Sequence, residues 1–313
     1  LAFALRLCYV YFYSTLIHGL MSDFTTRRAL LLALACTPLA RGADLLDQAP
    51  ATMPLSPAGL LARLEQEVGG RLGVAALNTA DGRLLVHRDD ERFPLCSTFK
   101  MMAAAAILSR EPSLLKKRIQ YEKSDLVPHS PVTGKHVAEG MTVAELCEAT
   151  LQYSDNAAAN LLMKQIGGPA AVTAYARSIG DNEFRLDRWE TELNSALPGD
   201  ARDSTTPLAM ARSLHKLVLG EALPLAQRRL LKEWMIGNTT GATRIRAGVP
   251  PGWTVADKTG AGDYGTVNDI AIIWPPAKAP VVLAVYLTQP SKDDKLRPDI
   301  HGEVAKVVIE AFR

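Results

Sequence analysis

A chain of 313 residues with 48% hydrophobic and 22% charged residues can bury one or two cores, and it is neither disordered nor fibrous in composition. The formal net charge is +2, but residues 1–42 hold Arg6, Arg27, Arg28 and Arg41 against Asp23; taking these from 35 basic and 33 acidic residues leaves 31 against 32. A near-neutral body without a basic run interleaved with aromatics argues against nucleic acid as a partner.

The chain opens with a targeting pattern. Met21 begins an n-region ending in Arg27-Arg28, Ala29–Cys36 is a short apolar h-region, and Ala40-Arg41-Gly42 offers small residues for cleavage after Gly42. Residues 1–42 are predicted to be a leader and 43–313 the mature body. Thr26-Arg27-Arg28-Ala29-Leu30-Leu31 also resembles a twin-arginine signal, and the general and twin-arginine routes stay open. Leu1–Leu20 is either an extension upstream of a true start at Met21 or an anchor; no membrane contact is expected of the mature form. Cys36 follows a poor lipoprotein signal.

Ser56-Pro57 is an N-cap before a proline, and Leu60, Leu61, Leu64 and Val68 recur on one face up to Gly69-Gly70, predicting a helix over 57–68. Leu72–Leu77 and Arg83–His87 flank Asp81-Gly82, a hairpin signal. A long helical region follows Pro94. Thr142-x-x-Glu145 is a capping box, and Asp155–Ile166, Pro169–Ile179, Pro207–Leu219 and Ala226–Ile236 are predicted helices. Strands return at Thr254–Asp257, Thr266–Trp274 and Val281–Thr288, before a closing helix over Gly302–Phe312. The predicted class is α+β, an α/β sandwich: an antiparallel sheet covered by the N- and C-terminal helices, with an all-helical insert. The sheet part takes about residues 55–92 and 237–313 and the helical part about 93–236, with a cleft between them. The longest stretch without periodicity, Phe184–Ser204, has the length of a functional loop.

Chemistry centres on Ser97-Thr98-Phe99-Lys100. At the start of a helix, positions i and i+3 share a face, so the Ser97 hydroxyl and the Lys100 amine can touch. A serine needs a neighbour to take its proton, and a lysine buried among apolar residues is neutral enough to help. Met101–Leu108 supplies such a flank. The same pattern at Ser113–Lys116 lies in a polar connector, and Ser213–Lys216 reads as an amphipathic helix without buried apolar flanks. Ser154-Asp155-Asn156 starts a helix with a hydroxyl, a capping carboxylate and an amide, or is simply an N-cap. Lys258-Thr259-Gly260 ends a strand with a cation and a hydroxyl that suit a carboxylated substrate, or is a β-turn. Glu190 and Asn194, four apart in the loop, have the reach to hold one water between them, or are solvated loop residues. Each three-residue match has a chance frequency of about 0.04 in a chain this long, so Ser154-Asp155-Asn156 and Lys258-Thr259-Gly260 together are a coincidence of about two in 10³.

Taken together, these motifs and the run Phe184-Arg185-Leu186-Asp187-Arg188-Trp189-Glu190 resemble class A β-lactamases from about Leu55 onward, nearest in appearance to exported penicillinases of Gram-negative proteobacteria. The resemblance implies a periplasmic, monomeric serine hydrolase that opens the lactam amide of penicillins and cephalosporins, conferring antibiotic resistance, with no cofactor. Ser97 would be the nucleophile, with the backbone N–H groups of Ser97 and Ala261 as oxyanion hole. Lys100 and Glu190 would share the base role in acylation, and Glu190 with Asn194 would position the deacylating water. Ser154 would relay a proton to the ring nitrogen and Asn156 would bind the side-chain amide. Lys258, Thr259 and Gly260 would receive the carboxylate, and Arg188 with Asp203 would close the loop.

The sequence also departs from the family pattern. Many relatives carry an arginine where this chain has Val267; Arg244 fits the subset that supplies it from the preceding helical region, while Arg246 is expected to pair with Asp257. The family disulfide looks lost, with Cys147 matching one partner and Ala104 standing at the other position, and Cys96, bridged in some carbapenem-hydrolysing relatives, would face Gly262. Cys96 and Cys147 are expected to be two buried thiols. His129 stands at the cleft edge, to stack on substrate or face solvent. The six histidines lack zinc-type spacing, and no C-x-x-C occurs, so no metal is expected. The rival readings are a D-alanyl-D-alanine peptidase or transpeptidase, which lacks the loop acid, and a non-catalytic penicillin-sensing module. No G-x-S-x-G elbow supports a generic esterase.

Overall fold

The computed structural model describes residues 55–313; the predicted leader, its cleavage site, Cys8 and Cys36 lie outside the described residues. Helix α1 (Pro57–Val68) begins where expected because Ser56 Oγ accepts the Gly59 N–H at 3.2 Å, and it ends at Gly69, whose φ of +69° suits glycine. Strands β1 (Arg71–Asn78) and β2 (Leu84–His87) form the hairpin, with Asp81 accepting the Arg83 N–H at 3.0 Å to shape the turn. β3 (Phe93–Pro94) leads into a 3₁₀ turn, Cys96–Thr98, and α2 (Phe99–Leu108), every residue of which is buried.

Short β4 (Arg118–Ile119) and β5 (Met141–Thr142) pair ahead of α3 (Val143–Gln152). The Thr142–Glu145 capping box is made in both directions. Next come α4 (Asn156–Ile166), capped by Asp155, and α5 (Pro169–Ser178). β6 (Ser204–Thr205) pairs with β3 and precedes α6 (Pro207–Val218) and α7 (Leu225–Ile236). After the single turn α8 (Ile245–Gly248), strands β7 (Thr254–Ala261), β8 (Val267–Trp274) and β9 (Val281–Thr288) lead to α9 (Asp299–Ala311).

The five long strands form one antiparallel sheet in the order β2-β1-β9-β8-β7. Alternation sorts its side chains into two cores. Leu72, Val74, Ala271, Ile273, Leu283 and Val285 pack with Leu61, Ile300, Val304 and Val308 of α1 and α9. Ile270, Ile272, Ala284 and Tyr286 face the helical part, in one core with Met101, Leu146, Leu162 and Leu214. β8 and β9 are therefore apolar almost throughout, as strands covered on both faces must be. β7 is left as the edge strand facing the helical part.

Some expectations are corrected. The strand that Lys258-Thr259-Gly260 ends runs past its expected bound at Asp257 to Ala261, and the three residues are not a β-turn: the ladder continues through Lys258↔Ile270, Thr259↔Asp269 and Gly260↔Asn268, because β8 offers a partner at each position. The Ser213–Lys216 helix does have buried apolar neighbours, Met210, Leu214 and Leu217 of α6. Its serine donates to Asp181 Oδ2 at 2.6 Å and its lysine to the Ile179 carbonyl at 2.6 Å, so the two do not meet. α9 begins three residues early, with Asp299 in its first turn, where an acid suits the helix dipole. The two-residue strands were not predicted; pairs this short carry no periodicity.

His301 on α9 is fully buried, and burial, reinforced by the nearby Arg244 charge, lowers its pKa from 6.5 to about 3. The folded protein thus holds a neutral imidazole while the unfolded chain takes up a proton below 6.5, so stability is lost as the pH falls from 6.5 toward 3. Urea unfolding should show a loss of up to about 1.4 kcal/mol per pH unit over pH 6.5 to about 5, and His301→Leu should flatten that slope.

Candidate active site

Ser97 lies in the 3₁₀ turn that precedes α2 rather than in the helix, and Lys100 lies one turn on, with no exposed surface. The expected serine–lysine contact runs through a third group. Ser97 Oγ donates to Glu190 Oε1 at 3.4 Å, and Lys100 Nζ stands 3.0 Å from the same oxygen. The lysine also donates to the Ser154 carbonyl at 2.8 Å, Ser154 Oγ at 3.3 Å and Asn156 Oδ1 at 2.5 Å. Burial lowers its pKa below that of an ordinary lysine, and the Glu190 charge acts in the opposite direction.

Glu190 is held at every polar atom. Its Oε2 accepts from Asn194 Nδ2 at 2.6 Å, while its backbone N–H donates to Asn160 Oδ1 and its carbonyl accepts from Asn160 Nδ2, both at 3.0 Å. Asn160 was not singled out in the sequence; it lies one helical turn beyond Asn156 on α4, but nothing local marks a contact 30 residues away. The Glu190–Thr191 peptide is cis.

Asp203 closes the loop. Its Oδ2 accepts from Arg188 Nε at 2.5 Å, and its Oδ1 accepts the N–H groups of Asp187 at 2.7 Å and Arg188 at 2.9 Å. Arg188 Nη1 also donates to Ser195 Oγ at 3.0 Å. The neck is tied to the nucleophile's turn by the β3–β6 ladder and by the Leu95 N–H, which donates to the Asp203 carbonyl at 2.7 Å.

The opposite wall is β7. Lys258 Nζ donates to Ser154 Oγ at 3.0 Å, so that hydroxyl sits between two lysine amines. Burial, then the charges of Lys100 and Arg244, push the Lys258 pKa well below 10.5. A Cβ placed on Gly260 would stand 3.2 Å from the Ser97 nitrogen, so a side chain there would crowd the nucleophile's backbone. Ala261 is exposed at the end of the strand. Arg244 Nη1 donates to the carbonyls of Gly260 at 2.6 Å and Asn268 at 2.5 Å, which holds its guanidinium across the β7–β8 pair. Arg246 pairs with Asp257 at 2.6 Å.

Thr259 Oγ1 contacts Thr240 Oγ1 at 2.5 Å, another partner that the sequence did not reveal. Asn156 is fixed by its Nδ2 donating to the Pro128 carbonyl at 2.8 Å. His129 is exposed at the rim, with its Nε2–H donating to the Tyr153 carbonyl at 3.0 Å. Cys96 and Cys147 are free and buried, and burial raises both thiol pKa values. A Cβ on Gly262 would lie 2.8 Å from Cys96 Sγ. Among the described residues no group of His, Cys, Asp or Glu is arranged to hold a metal ion.

A serine whose hydroxyl faces a buried acid–lysine pair, beside a cationic sheet edge, defines a serine acyl-transfer enzyme. A family model described as the beta-lactamase enzyme family matches residues 58–312. A beta-lactamase of Citrobacter koseri is 58% identical over 80% of this chain and 87% of its own length. Beta-lactamase Toho-1 of Escherichia coli is 52% identical over 93% of this chain and all of its own. The crystal structure of a beta-lactamase from Desulfarculus baarsii, 57% identical, superposes with a TM-score of 0.81 over 82% of this chain and 96% of its own. The chain belongs to the class A branch of the beta-lactamase enzyme family, serine hydrolases that open β-lactam rings and so confer antibiotic resistance.

Asp203 is 1% exposed and takes up one guanidinium and two backbone donors. Asp203→Ala strands all three, and urea unfolding should show a loss of about 3–5 kcal/mol, the usual effect of breaking a buried pair from one side.

Proposed function

We propose that this enzyme hydrolyses penicillins and cephalosporins through an acyl-enzyme on Ser97, with the residues of the cleft in distinct roles. The observation that carries the reading is the double engagement of Glu190: Oε1 faces Ser97 Oγ and Lys100 Nζ, while Oε2 faces Asn194. One carboxyl group therefore serves both halves of the reaction.

In acylation, the Ser97 proton passes to the Glu190–Lys100 pair as Oγ bonds to the lactam carbonyl carbon. The backbone N–H groups of Ser97 and Ala261 hold the oxyanion, a donor of this kind being worth about 3 kcal/mol. Collapse breaks the C–N bond, and Ser154 gives its proton to the departing nitrogen while taking one from its lysine neighbours. In deacylation, Glu190 accepts a proton from a water also held by Asn194, the hydroxide attacks the ester, and Ser97 leaves with a proton returned from the pair. Lys258, Thr259 and Arg244 receive the substrate carboxylate, with Gly260 letting it approach the strand edge. Asn156 keeps one unused N–H and one lone pair for a side-chain amide. His129 contributes at the rim.

The sheet part, about 55–92 and 237–313, and the helical part, about 93–236, are read as subdomains that meet at this cleft. The mature form is read as a periplasmic monomer released from a leader; no described helix is long and apolar enough to cross a membrane.

Intact-mass analysis of residues 43–313 after mixing with a penicillin tests the mechanism. The parent should turn over without a lasting adduct, and Glu190→Ala should hold a covalent acyl group on Ser97. A parent that acylates once and stops would indicate a penicillin-sensing module or peptidase instead.

The lowered pKa of Lys258 predicts a pH effect. Its charge is lost as the pH rises, beginning below the 10.5 of an ordinary lysine. KM for a carboxylated penicillin should therefore climb as the pH rises, with the climb lying below 10.5, and Lys258→Arg, which stays charged throughout, should flatten it.

A further inference from the structure

We propose that Thr240 is a specificity-determining positioning residue that draws the Thr259 hydroxyl proton away from the substrate and thereby weakens binding of carboxylated β-lactams. The proposal rests on the reading of Thr259 as a ligand of the substrate carboxylate.

Donor and acceptor roles along this wall follow from one backbone group. The Thr240 N–H, which can only donate, lies 3.0 Å from Asn238 Oδ1, and this assigns that atom as the amide oxygen. The other end of the amide, Nδ2, then donates to Asp257 Oδ2 at 2.7 Å, and Asp257 is itself fixed by Arg246 at 2.6 Å. Thr240 Oγ1 is 2.7 Å from the same Asn238 oxygen, which carries no hydrogen, so the Thr240 hydroxyl donates there. A hydroxyl has a single proton. In its 2.5 Å contact with Thr259 Oγ1, Thr240 must therefore accept and Thr259 donate.

A directed chain results: Thr259 to Thr240, Thr240 to Asn238, Asn238 to Asp257. At rest, the threonine assigned to the carboxylate has its proton committed to a neighbour and turns lone pairs elsewhere. A carboxylate offers only acceptors, so a bound substrate must pull that proton off Thr240. Lys258 and Arg244 supply the positive charge that draws the substrate in, and the hydroxyl exchange works against them. Thr240 thus tunes affinity without touching the reacting atoms.

The test is steady-state kinetics of Thr240→Val, nearly the same shape but without an acceptor, beside Thr240→Ala, Thr240→Ser, Thr259→Val and the Thr240→Val/Thr259→Val double variant. Substrates are a penicillin and its carboxylate ester. Thr240→Val and Thr240→Ala should lower KM for the acid about two- to tenfold, the worth of one neutral hydrogen bond, with kcat moving less than twofold. Thr240→Ser should keep the parent KM. The gain should vanish for the ester and in the Thr259→Val background. An unchanged or raised KM in both acceptor-less variants, alongside a raised KM in Thr259→Val, would overturn the role of Thr240 and leave the carboxylate reading standing. No change in Thr259→Val itself would overturn that reading, and the proposal with it.

Discussion

The contact between Lys100 and Glu190, 3.0 Å apart with both side chains fully buried, is the constraint on which the site depends. Taking two ionisable groups out of water costs several kcal/mol each, and their attraction offsets that cost only if their remaining donors and acceptors are satisfied. The surroundings are arranged to do so. Ser154 and Asn156 take the lysine's other protons, Asn194 occupies the second carboxyl oxygen, and Asn160 holds the backbone of Glu190 on both sides. Without these partners the pair would be a liability in the middle of the molecule. With them it is a preorganised acid–base couple beside the serine.

Each wall of the cleft comes from a different part of the chain, which explains the architecture. The 3₁₀ turn before α2 brings Ser97 and α2 itself brings Lys100, while α4 brings Asn156 at its first residue and Ser154 just ahead of it. The edge of the sheet brings Lys258 to Ala261, and the loop brings Glu190 and Asn194. A loop is a poor place for a residue that must be held to a fraction of an ångström. Here its mobility is limited at the neck by Asp203, by the β3–β6 ladder and by the Leu95–Asp203 bond. The same ties that close the loop also anchor the turn carrying Ser97, so nucleophile and acid are referred to a common piece of backbone.

Much of this was legible in the sequence, for identifiable reasons. α1 and β9 fall on their predicted bounds because a capping serine, a stop glycine and a continuous apolar run are local signals. The hydrophobic neighbourhood of Lys100 was visible in Met101–Leu108, and so was its burial. What the sequence could not show is pairing at a distance. The serine and the lysine meet at an oxygen 93 residues from the serine, and Asn160, Asn238 and Thr240 gain their meaning only from partners on other elements. The strand that Lys258-Thr259-Gly260 ends runs four residues beyond its expected bound at Asp257. Threonine and glycine next to a lysine carry no local β pattern, and it is the register with β8 that carries the strand on. His301, whose neutrality rests on being enclosed by α9 and the sheet, carries no mark of it in its neighbours along the chain.

The central claim is that Lys100 and Glu190 act as one coupled unit, and titration of Lys100 tests it most directly. With lysine labelled at Cε and followed by NMR, Lys100 should titrate below 10.5, because burial disfavours its charged form. In Glu190→Gln the partner that favours the charge is gone, and the titration should move lower still. A Lys100 that titrates like a surface lysine, or that ignores the loss of Glu190, would contradict the account.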